Sequence, residues 1–65
     1  MRFQVMKKHE NEPEEAYCLF FETNEIDEAK DFAMRLAFIE TNAVYVYDTL
    51  RCERVRNFDD AVYRA

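Results

Sequence analysis

Apolar and polar side chains alternate through Arg2-Phe3-Gln4-Val5-Met6-Lys7 and again through Ala43-Val44-Tyr45-Val46-Tyr47. A period of two marks strands with one face turned to a core, and the β-branched and aromatic content of the second run strengthens that reading. Ala16 to Phe21 is apolar at every position, so it reads as a strand either covered on both faces or exposed on one for a partner. Between these first two strands, the polar, proline-marked run from His9 to Glu15 predicts a hairpin loop. A different period rules from Glu25 onward. At about 100° per residue, Ile26, Ala29, Phe32, Ala33, Leu36, Ala37 and Ile39 share one arc of roughly 160°, the core stripe of a helix. Asn24 stands where a cap belongs, and Glu25, Asp27 and Glu28 occupy the positive end of the helix dipole, so the helix should start at Glu25. Thr41-Asn42 predicts its stop, with asparagine taking the left-handed conformation that glycine usually supplies.

Beyond the third strand, Asp48-Thr49 reads as a turn and Leu50 to Phe58 as a returning strand. Cys52, Val55 and Phe58 are spaced by three rather than two, which predicts a bulge there. Asp59 to Arg64 is either one helical turn or a frayed end. The fold class is therefore α+β: a small antiparallel sheet of three to four strands, order β-β-α-β-β, with one helix on one face. Residues 1–65 read as one compact domain without repeats.

One helix covers only one face of a sheet. If that face carries Val44 and Val46, then Tyr45 and Tyr47 lie on the open one, beside either Tyr17, Leu19 and Phe21 or Cys18 and Phe20. An aromatic-rich open face on so small a domain points to a dimer or partner surface. The site assigned to it is Tyr17, Leu19, Phe21, Tyr45 and Tyr47. Met34 and Phe38 add to the unburied apolar surface, because they share the outer helix face with Asp27, Glu28, Asp31 and Arg35.

Charge changes the picture because it is local. The chain has a net charge of −5, yet residues 10–31 alone hold nine acids and one lysine. Ordinary solvation of a loop and a helix start accounts for such acids without any function. The sharper reading is an acidic recognition surface for a basic groove, with Glu14, Glu15, Asp27 and Asp31 as its charges and Met34 and Phe38 as apolar anchors. Arg51, Arg54 and Arg56 near Tyr45 and Tyr47 could stack bases and bind phosphate in a single-stranded nucleic acid. Overall acidity ranks that partner behind protein, since phosphate repels the molecule as a whole.

Absences exclude more than the counts include. The chain has no glycine and no serine, which removes phosphate-cradling glycine loops, the dinucleotide fingerprint and the serine triad. His9, the sole histidine, sits in the predicted loop without a fixed orientation, and pairing with Cys18 would need the first hairpin to close them together. Cys18 and Cys52 lie in no metal-ligand spacing and read as free thiols of a reducing compartment. Glu14-Glu15 and Asp59-Asp60 are sequence neighbours that point apart into water rather than acid–base dyads. No catalytic residue, cofactor or metal is therefore expected, and no stretch is long and apolar enough to span a membrane. The expected setting is cytoplasmic, and the expected role is a non-enzymatic protein-binding module that docks on a larger protein with a basic surface, with a homodimer or self-associating module as the alternative. In size, acidity and lack of a catalytic motif the chain resembles the small accessory proteins that bacteriophages and other mobile elements make against host machinery. That resemblance implies an inhibitor or regulator.

Overall fold

The computed structural model describes residues 1–55. Strand β1 (Phe3–His9) leads through a 3₁₀ turn (Glu14–Ala16) to β2 (Cys18–Thr23). Helix α1 (Ile26–Ala37), β3 (Asn42–Asp48) and the two-residue β4 (Glu53–Arg54) follow. The strands form one antiparallel sheet in the order β2-β1-β3-β4, with α1 packed on one face, as the β-β-α-β-β pattern predicts.

The register explains which face is covered. Val5 pairs with Val46, and Phe3 with Asp48, so these four side chains point to the same side. Val5, Val46, Ala29 and Ala33 have no exposed surface, and Phe3 joins them in the core. Alanines four apart on α1 present almost no side-chain bulk, which lets the helix axis approach the two valines closely. Ile26, Phe32, Leu36 and Ala37 of the predicted stripe pack around this centre.

Ile39 does not. The helix ends at Ala37, and Ile39 is half in water because Asn42 stops the helix earlier than the periodicity suggests. Asn42 acts through its side chain, whose Nδ2 donates to the Leu36 carbonyl at 3.1 Å while its backbone amide donates to Ile39. No left-handed residue is used there; among the described residues outside glycine only Cys52 has a positive φ, 55°. The helix start also differs by one residue. Asn24 Oδ1 accepts from the Arg2 amide at 2.9 Å and so ties down the amino terminus, while Thr23 Oγ1 accepts from the amide of Glu25, the residue preceding α1.

A bulge lies in β2, where the sequence pattern predicts none, while the one expected across Cys52, Val55 and Phe58 lies partly outside the described residues. Val5 pairs with Phe21 but Met6 pairs with Leu19, which leaves Phe20 without a partner in β1. The extra residue puts Phe21 on the covered side and Leu19 on the open side. Cys52 sits in the turn after β3 rather than in a strand, and among the described residues of the expected returning strand only Glu53–Arg54 pair with β3. Arg56, Phe58 and the expected turn at 59–64 lie outside the described residues.

Candidate partner-binding site

Among the described residues Met1, Phe20 and Leu50 are exposed singly, and two further regions of apolar surface remain uncovered. The first is at the end of the molecule where α1 stops. Phe38 follows the last helical residue with 87% of its surface exposed, and Ile39 with 55%. The β1–β2 loop is tied to this end by a hydrogen bond from the Glu10 amide to the Thr41 carbonyl at 2.7 Å. The loop contains no glycine and closes around a side chain instead. Lys8 Nζ donates to the carbonyls of Glu12 (2.8 Å), Glu10 (3.3 Å) and His9 (3.4 Å), while the His9 amide donates to Glu12 Oε1 at 3.1 Å. Exposed Glu10, Glu12 and Glu40 thus lie at the end that carries Phe38 and Ile39. An apolar pair beside exposed carboxylates suits a partner with an apolar notch in a basic rim.

The six residues assigned from sequence to a single acidic patch are divided by the fold. Asp27 opens α1 and Phe38 follows its end, eleven residues on, which is about 16 Å along the axis. Asp31 is matched by Arg35 one turn later at 3.1 Å. Glu14 and Glu15 stand on the 3₁₀ turn, where Glu14 reaches Arg54 at 3.5 Å. Met34 is half-buried. Of the two apolar anchors only Phe38 is exposed, and Ile39, Glu10, Glu12 and Glu40 are the exposed residues at its end that sequence spacing did not bring to it. The signal available was the Asn42 stop, which removes Ile39 from the buried stripe.

The second region is the open face of the sheet. Tyr17 and Tyr45 meet edge to face with centroids 4.7 Å apart. The Arg54 guanidinium lies 3.9 Å over the Tyr45 ring and 5.7 Å over Tyr17, with Lys8 Nζ 5.4 Å over Tyr17. Burial, and then the nearby Glu14 carboxylate, push the Tyr17 phenol above its ordinary pKa. Leu19, 48% exposed, and half-buried Tyr47 complete the residues that sequence placed here. Phe21 does not belong with them: the bulge turns it to the covered side, where it stacks on Phe32 at 4.3 Å.

No family model, curated protein or solved structure matches the chain. The chemistry must be read from the side chains. His9 Nδ1 accepts from the Asn11 amide at 3.3 Å on an exposed loop, and Cys18 Sγ contacts the Ala16 carbonyl. Among the described residues, no three His, Cys, Asp or Glu side chains converge as a metal site would require, and no helix is long and apolar enough to cross a membrane.

One strong contact joins residues that no local pattern connects. Arg2 Nε and Nη2 donate to the two carboxylate oxygens of Asp48 at 3.1 and 3.0 Å. Asp48 Oδ1 also accepts from the amides of Leu50 and Arg51, closing the turn after β3. The Arg2 hydrogen bonds hold the Asp48 carboxyl below its usual pKa. Arg51 is matched by Glu53 at 3.3 Å. These cations therefore serve the fold rather than an open anion site.

Proposed function

We propose that this chain is a non-enzymatic protein-binding module that docks on a larger protein through its loop end. Phe38 and Ile39 enter an apolar depression on the target, and the glutamates around them face its basic rim. The carrying observation is Phe38, 87% exposed at the end of a helix whose other large side chains found cover. Leaving a phenylalanine in water forgoes about 1.5–3 kcal/mol of burial. In a chain of 65 residues, whose whole stability is about 3–10 kcal/mol, that is a large fraction.

Basic rims are the usual surface of proteins that handle nucleic acids, so the target belongs to that class and sits in the cytoplasm. Occupying its groove makes the module an inhibitor or regulator, the role of the phage and mobile-element accessory proteins that it resembles in character.

The test starts with affinity capture of the target and then measures its dissociation constant against variants. Phe38→Ala with Ile39→Ala should weaken binding at least tenfold, as loss of a central anchor does. Glu10→Gln, Glu12→Gln and Glu40→Gln together should slow association and flatten its salt dependence. A target bound equally well by all of these variants removes the loop end as the docking surface.

A further inference from the structure

The 3₁₀ turn between β1 and β2 has little of its own to hold it. None of its three residues is buried, and among the described residues no side chain caps its start. It is closed by two hydrogen bonds, from the Ala16 amide to the Pro13 carbonyl at 2.9 Å and from the Tyr17 amide to the Glu14 carbonyl at 3.3 Å. A single turn with two such bonds melts in water unless a tertiary contact anchors it. Tyr17, which ends the turn, supplies that contact.

Tyr17 immediately precedes β2, and the sheet order places β1 between β2 and β3, so the Tyr17 ring meets Tyr45 across β1. Arg54 reaches the same pair from the opposite edge. It pairs with Tyr47, which puts its side chain on the open face, and from there the guanidinium lies over Tyr45 while Nη2 stands 3.5 Å from Glu14. Elements that share no backbone pairing are thereby joined across the width of the sheet. Met6 records the effect: its register partners are Leu19 and Tyr45 on the face away from the helix, yet it is half-buried.

We propose that the 3₁₀ turn is a strap drawn over the open face and latched by Arg54, so that this face is closed by the chain's own loop. With the strap down, Met6, Tyr17 and Tyr45 are half-buried. With it lifted, the aromatic face that the alternation predicts lies bare. The grip comes chiefly from the guanidinium stacked on Tyr45, because both partners of the Glu14–Arg54 pair are mostly exposed and such a pair adds little. Arg51 has no part in the latch, being matched by Glu53 in the turn before β4. Target docking is separate, since Phe38 and Ile39 make none of these contacts.

Amide exchange of the full chain, followed residue by residue by NMR with no target present, tests the latch. Arg54→Ala should raise the exchange rates of Ala16 and Tyr17 about fivefold, the scale of one exposed cation–π contact, and leave those of Phe32 and Ala33 in α1 unchanged. The lifted form stays a minor population, so signals averaged over the molecule still report the closed one. Arg54→Lys keeps the charge but loses the planar group that stacks, and its rates should fall between those of the parent and Arg54→Ala. Arg51→Ala removes the same charge from the neighbouring turn and should leave Ala16 and Tyr17 as they are in the parent. Unchanged exchange in Arg54→Ala overturns the proposal. So does an equal rise in α1, which marks global unfolding rather than a lifted strap, or an equal effect of Arg51→Ala, which marks net charge as the cause. Failure here leaves target docking standing, because that is read from Phe38 and Ile39.

Discussion

The two faces of the sheet are built on the same strands and closed by different physics. On the helix side, Val5 and Val46 meet Ala29 and Ala33 with no exposed surface, a dry contact proportional to area. On the other side, Tyr17 and Tyr45 are shielded by Arg54 and Lys8, charged heads that keep their own access to water. Dispersion and exclusion of water fix the first face; cation–π contacts, individually weak, only screen the second. Among the described residues there is one helix, and it finishes one face.

The sharpest break in that contrast comes from the dry side. Val46→Ala removes two buried carbon groups and leaves a gap, which should cost about 2 kcal/mol. The melting midpoint should fall by roughly 10 °C, read by circular dichroism. An unchanged midpoint would place the structural core elsewhere.

Next in size is the pair that locks both strand ends. Asp48→Asn keeps the shape but loses the bidentate contact to Arg2, so its melting point should lie below that of the parent at neutral pH. The gap depends on pH in a definite sense. Asp48 has a lowered pKa in the folded chain, so the unfolded chain binds the proton more readily. Its contribution is complete above about pH 4 and disappears as pH falls through the lower, folded value. Melting curves of parent and variant should converge in acid, and a gap that persists there contradicts the ion pair as its source.

The smallest effect belongs to the screened side. Arg54→Ala removes the guanidinium over Tyr45 and should cost under about 1 kcal/mol, since such contacts are weak when wet. It also removes a cation that favours the ionised Tyr17 phenol, so the Tyr17 titration followed by ultraviolet absorbance should move further upward. A downward move would mean that Arg54 does not act on Tyr17 as the geometry indicates.

Much of this contrast was legible along the chain, because it rests on local periods. Alternation in β1 and β3 and the 100° stripe of α1 assign Val5, Val46, Ala29 and Ala33 to one side without any tertiary information. Three features were not legible, each for a physical reason. The β2 run is apolar throughout, so its pattern contains no phase, and the bulge at Phe20 that sends Phe21 inward leaves no local trace. Arg2 and Asp48 are 46 residues apart, and their contact exists only once β1 and β3 are in register. The acids of residues 10–31 look contiguous in sequence, but a helix carries Asp27 and Phe38 to its opposite ends.

The loop that presents the glutamates keeps its shape because one amine fills the centre that glycine-rich turns leave empty. Acetylation of Lys8 would neutralise that amine and take away hydrogen-bond donors from three converging carbonyls. The anionic rim would then lose its scaffold even though every carboxylate remained, so a single covalent mark would loosen this end of the protein.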